Sequence, residues 1–162
     1  MKYQFIFPFI FFIPLLILQT TVIPLFAVYN AVPDLILILL VFYAISYGQI
    51  FGTVLGFIFG FLFDLITGSL LGSAMLSKTM SGFIAGYFSN ENKRDIYLKS
   101  YIFSFIVFLC AVIDSIVYSF FSSAELQRNF LLLFFEQGLL PGLYTSVISI
   151  IVFIFLPARR LA

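Results

Sequence analysis

Long apolar runs separated by short polar or glycine-containing breaks recur along the whole chain, and the runs have the length of helices rather than strands. A hydrocarbon core about 30 Å thick calls for roughly 20 apolar residues per helix, with shorter spans tolerated inside a tight bundle. On that measure the pattern predicts spans over residues 4–23, 34–48, 50–68, 71–88, 98–120 and 134–156. The second and third are parted only by SYGQIFG, and the fourth contains Ser73, Ser77, Lys78, Thr79 and Ser81. Either could therefore be a re-entrant or tilted element, and five spans fit as well as six. No window is long and polar enough for a soluble domain, so residues 1–162 read as one membrane domain with short loops. Lys2 ahead of an apolar run is similar to a secretory leader. Pro8 and Pro14 interrupt that run and no small-x-small site follows, so the first span is expected to be retained. Pro14 should kink it, because proline removes a backbone donor.

Composition points the same way. Hydrophobic residues make up 63% of the chain, charged residues 9%, and 24 residues are Phe, which excludes a soluble domain with a polar surface. The expected fold is an all-α integral membrane bundle of six, or five, transmembrane helices. Catalytic chemistry finds little to work with: there is no His, Cys110 is the sole cysteine, and no glycine-rich phosphate loop ends in Lys-Ser or Lys-Thr. Zinc and thiol–disulfide sites cannot be assembled from one Cys and no His. The expectation is a non-enzyme without catalytic residues, cofactor or metal. A formal charge of +1 with one small basic loop does not suit nucleic acid.

The basic residues set the topology, because they are held back on the cytoplasmic side of short loops. With six spans and the amino terminus inside, Lys2, Lys93, Arg94, Lys99, Arg159 and Arg160 are all cytoplasmic, leaving Arg128 outside and Lys78 within a span. SNENKRDIYLK, Ser89 to Lys99, is then the one sizeable cytoplasmic loop. Its Lys93, Arg94 and Lys99 either set orientation as solvated charges or dock a cytoplasmic partner.

The same topology carries Asp34, Asp64, Lys78, Asp114 and Glu136 toward the outer ends of their helices. Asp64 lies about four residues, or roughly 6 Å of rise, from the end of its span, and Lys78 about seven residues, or roughly 10 Å, into the next. In an antiparallel hairpin those depths nearly match, which predicts an Asp64–Lys78 ion pair with Asp34 and Asp114 nearby. An ionisable group inside a bilayer costs on the order of 2.5–3.5 kcal/mol on insertion scales, so it faces a bundle interior and finds partners. Three roles fit this outer polar cluster: a network that orients the bundle, a partner or ligand interface, or ion and proton movement. Asp34 follows Pro33 at a span start, where proline and a carboxylate suit the free amides of a helix end.

GTVLGFIFGFLFDLITGSLLG, Gly52 to Gly72, places glycine at 52, 56, 60, 68 and 72 and Asp64 in the same four-residue rhythm. Small residues every fourth position let two backbones approach closely in lipid. Gly82 and Gly86 repeat the spacing in the fourth span, so Gly52, Gly56, Gly60, Gly82 and Gly86 are the expected helix-packing residues.

The run from Val32 to Tyr87 resembles the bacterial MreD family of rod shape-determining proteins. The likeness rests on a Pro-Asp opening a Leu-rich helix, a Gly-rich helix ending in Asp-Leu, and a small-residue turn before another Gly-containing helix. Pro33, Asp34, Gly52, Gly56, Gly60, Asp64, Gly68 and Gly72 carry it. Members often have a His soon after that turn, where this chain has Ser73, Ala74 and Met75. The resemblance implies a non-enzymatic subunit of the cell-elongation machinery in the bacterial cytoplasmic membrane. It would work with MreC, the actin-like MreB filament, a SEDS glycosyltransferase and a class B penicillin-binding transpeptidase. The resemblance also implies a bundle related to the substrate-binding subunits of energy-coupling-factor vitamin transporters, which supplies the rival reading of a small-molecule uptake subunit. Those subunits typically use an Ala-x-x-x-Ala face on their first helix, whereas Lys2 to Thr21 contains no Ala or Gly.

Overall fold

The computed structural model describes residues 3–26, 32–90, 97–98, 101–126 and 140–155. Its main elements are α1 (Tyr3–Thr21), a 3-10 turn (Ile23–Phe26), α2 (Leu35–Tyr47), α3 (Gln49–Thr67), α4 (Ser73–Tyr87), α5 (Tyr101–Leu126) and α6 (Leu140–Phe155). The all-helical expectation is met, and no strand occurs among the described residues. Windows in three helices, Phe7–Leu25, Gln49–Thr67 and Tyr101–Phe121, are long and apolar enough to cross a membrane, and Leu35–Tyr47 and Leu140–Ile150 are shorter apolar helices. Lys2, Lys93, Arg94, Lys99, Arg128, Glu136, Arg159 and Arg160 lie outside the described residues.

The two elements whose crossing was ambiguous in sequence are regular helices. The break between α2 and α3 shrinks to Gly48, whose N–H bonds to Ala44 O at 2.9 Å while its carbonyl accepts from Gly52 N at 3.0 Å. One residue thus ends one helix and starts the next, at φ 98°, a backbone conformation that costs glycine little. In α4 the serines and Lys78 are tolerated because Ser73, Ser77, Lys78 and Ser81 are all buried. The helix packs against α2, α3 and α5, so its polar face meets protein instead of acyl chains.

The core forms around α2, which touches each of the other five helices. Eight of its 13 residues are buried, from Ile36 to Ile45, which explains why its sequence is apolar all round rather than on one stripe. Phe12 of α1 and Phe59 of α3 stack beside it with ring centroids 4.2 Å apart. The outer surface inverts the soluble pattern: Phe11, Ile13, Phe57, Phe61, Phe105 and Phe120 are exposed. Such a surface matches lipid tails and would associate in water.

Candidate functional site

Glycine first sets the geometry. The α3 and α4 rows face each other in an antiparallel register, stepping four residues forward on one helix for every four back on the other. A Cβ added at Gly52 would stand 2.5 Å from Gly82 O and 2.6 Å from Ala44 Cβ. At Gly56 it would meet the Lys78 carbonyl carbon at 2.8 Å and Thr79 Cα at 3.0 Å, and at Gly60 the Met75 Cα at 2.5 Å. Gly86 lies in the same way against Gln49, with 2.8 Å to its backbone nitrogen. Apart from Ala44 Cβ these neighbours are backbone atoms, and none of them can rotate aside. The two rows therefore occupy each other along the full hairpin.

This close approach brings the end of α3 directly under the start of α4. Asp64 is buried there, and its carboxylate accepts five hydrogen bonds. Oδ1 accepts from Ser69 Oγ (2.8 Å), Ala74 N (3.1 Å) and Ser73 Oγ (3.3 Å), and Oδ2 from Gly72 N (2.9 Å) and Met75 N (3.0 Å). The first amides of a helix have no partner within it, and Gly72 at the N-cap position has no side chain to offer. Asp64 supplies that cap from the preceding helix and places its negative charge at the positive end of α4. An isosteric Asp64→Asn change turns one acceptor oxygen into a donor that faces these amides. It is expected to lower stability by about 1–3 kcal/mol, readable as an earlier unfolding midpoint in detergent; an unchanged midpoint would show the cap to be dispensable.

The Asp64–Lys78 ion pair expected from matched depths is therefore corrected. Lys78 Nζ instead contacts Asp34 Oδ2 and stands 3.5 Å from Asp114 Oδ2. The physical reason is direction around the helix axis. Lys78 lies one turn beyond Ala74, its backbone faces Gly56, and its side chain leaves toward the start of α2 and the middle of α5. The Phe63 ring centroid lies 5.7 Å from its ammonium.

Asp34 is the most fully tied member of the trio. It is the N-cap of α2, with Oδ1 accepting from Leu37 N at 2.9 Å and from Gln19 Nε2 at 3.1 Å. Gln19 Oε1 accepts from Ile36 N (3.1 Å). The Asp34 carboxylate thus joins α1, α2 and α4, and its backbone N–H adds α6 by donating to Thr145 Oγ1 (2.9 Å). Asp114 is less satisfied. Its Oδ2 has the long contact to Lys78, and its buried Oδ1 has no hydrogen-bond partner among the described residues. Gln19 and Thr145 escape a reading confined to charged residues; the available signal is an amide near the end of an otherwise apolar span and a threonine facing inward from another.

These groups line a cavity of about 330 Å³ at the polar end of the bundle, with walls that include Gln19, Asp34, Lys78, Asp114, Ser115 and Thr145. That volume is in the range of small-ligand pockets. No group of three or more His, Cys, Asp or Glu among the described residues could hold a metal ion. The glycine seam and the charged trio are thus linked by Lys78, whose backbone packs on α3 while its side chain reaches the cavity.

The family model described as rod shape-determining protein MreD matches residues 1–158. The chain belongs to the MreD family. MreD membership implies involvement in rod shape determination, and MreD is a family of shape-determining membrane proteins rather than of known enzymes. Comparison with curated proteins and with solved structures gives no match.

Proposed function

We propose that this chain is a non-enzymatic membrane subunit of the cell-elongation complex, a single helical domain that binds MreC and helps link the MreB filament to peptidoglycan synthases. The observation that carries this reading is the family match over residues 1–158. In it, the SEDS glycosyltransferase and the class B transpeptidase belong to the same assembly, and the chain sits in the bacterial inner membrane with both termini in the cytoplasm. Lys93, Arg94 and Lys99 then face the filament side.

The glycine contacts support a narrower choice of partner-facing residues. Gly52, Gly56, Gly60, Gly82 and Gly86 are spent on the contact between α3 and α4 or on their approach to α2. They hold the bundle in shape, and the surface offered to MreC is drawn from the exposed apolar faces, such as Phe57 and Phe61 on the outer side of α3. Affinity purification of the tagged chain from membranes is expected to recover MreC, and expression in a depleted strain to restore rod shape. Recovery of a transport ATPase pair in place of MreC, without rescue of shape, would reject the assembly role.

A further inference from the structure

Helix α1 is held to the bundle by a seam one residue wide. Its buried positions are Pro8, Phe12, Leu16 and Gln19, and Ile23 continues the row into the 3-10 turn. Helix α4, by contrast, buries adjacent pairs: Ser73 with Ala74, Ser77 with Lys78, Ser81 with Gly82 and Ala85 with Gly86. Among the described residues α1 meets no helix other than α2 and α3. Its two halves are fastened differently. In the amino-terminal half, Phe9 and Phe12 both meet Phe59 of α3, edge-on with ring centroids 5.7 Å apart and stacked at 4.2 Å. In the carboxy-terminal half the hydroxyls of Thr20 and Thr21 turn back to carbonyls of α1 itself, Leu16 O (3.0 Å) and Ile17 O. The polar tie to α2 there is the Gln19 amide, with Nε2 donating to Asp34 Oδ1 and Oε1 accepting from Ile36 N.

Pro14 separates these halves. It is exposed, and having no N–H it leaves the Ile10 carbonyl without its helical donor, which makes this the point where α1 bends most easily. In lipid the apolar contacts of the carboxy-terminal half are cheaply exchanged, because acyl chains pack on Leu16, Ile17 and Leu18 about as well as protein does. The two hydrogen bonds of Gln19 cannot be exchanged in this way, since hydrocarbon offers neither donor nor acceptor. We propose that Leu15 to Thr21 of α1 form a strap, hinged at Pro14 and latched onto the start of α2 by Gln19. Released, the strap swings from α2 while the amino-terminal half stays stacked on Phe59. Gln19 and Asp34 both line the polar-end cavity, so the latch also decides whether that cavity is closed on the α1 side or open sideways to the bilayer.

The test measures spin-label distances in the full chain in phosphatidylcholine nanodiscs, with the buried Cys110 replaced by Ala. Labels go on exposed positions. Leu18→Cys with Leu65→Cys reports the strap against α3, and Phe7→Cys with Val54→Cys reports the amino-terminal half against the same helix. Gln19→Leu is expected to raise the population at longer Leu18–Leu65 distance about tenfold or more, and to leave the Phe7–Val54 pair unchanged. Adding Pro14→Ala restores the missing backbone hydrogen bond, so the two pairs should then change together or not at all. An unchanged Leu18–Leu65 pair in Gln19→Leu overturns the proposal. So does an equal shift at both pairs, which is detachment of the whole helix, or a double variant in which the Leu18–Leu65 pair alone still moves. Warming the chain that retains Gln19 decides the matter even where the variants do not fold: the Leu18–Leu65 distribution should broaden at a lower temperature than the Phe7–Val54 distribution, and simultaneous broadening rejects the hinge.

Discussion

Replacing Lys78 by Met is expected to produce the largest loss of stability of any single change at the polar end. The substitution keeps an unbranched side chain of similar reach, so its main effect is on charge. It leaves Asp34 and Asp114 facing each other across a buried space without their cation. Removing one partner of a buried ion pair costs about 3–5 kcal/mol, because the stranded charge has lost both water and counter-ion. Unfolding in detergent, followed by circular dichroism, should show a midpoint well below the parent chain. Combining Lys78→Met with Asp34→Asn and Asp114→Asn removes the stranded charges as well, and well-packed neutral replacements of buried ions are often close to neutral for stability. Asn at 34 also retains an oxygen that can cap α2. The triple variant should therefore be more stable than the single one. A single variant that unfolds like the parent, or a triple variant no better than the single, would show that the trio is not a coupled charge network.

The second large effect is expected at Gly56. Even alanine there sets a methyl against the Lys78 carbonyl carbon and Thr79 Cα at 2.8 and 3.0 Å. Neither atom can turn away, so the helices must separate, at a cost of about 1–3 kcal/mol for overpacking of this kind. Leucine should exceed that range and prevent the hairpin from closing. Size-exclusion profiles should deteriorate in the order Gly, Ala, Leu, and under the proposed assembly role recovery of MreC should follow the same order. Val54→Leu, a similar enlargement at a position exposed on the outer face of α3, is the control and should change neither. Undiminished folding of Gly56→Leu would mean that α3 and α4 do not pack through this seam.

The helices were legible because apolar length is a direct record of the medium that surrounds them. The sequence span at 50–68 and α3 at Gln49–Thr67 nearly coincide for that reason. The role of Asp64 was only half legible. Counting residues along two antiparallel helices predicts how deep each side chain lies, and it drew Asp64 and Lys78 to one end. It does not predict which way each points around its axis. Nor do backbone amides figure among candidate charged partners, although three of the five donors that hold Asp64 are backbone N–H groups of Gly72, Ala74 and Met75. The cavity was hidden for a related reason: Gln19, Ser115 and Thr145 come from three helices far apart in sequence, and only their packing against α2 and α4 brings them to one wall.

Biogenesis feels the character of α4 most directly. Fifteen residues with one lysine, three serines and a threonine make a weak signal for partition from the translocon into lipid. Lysine alone costs about 2.5–3.5 kcal/mol near the centre of such a segment. Its strongly apolar predecessor α3 can compensate, provided the two leave together. Asp64 ties the two together at their turn through five hydrogen bonds, so the hairpin is the expected unit of insertion, and the lysine is turned from the lipid once α2 and α5 have packed around it.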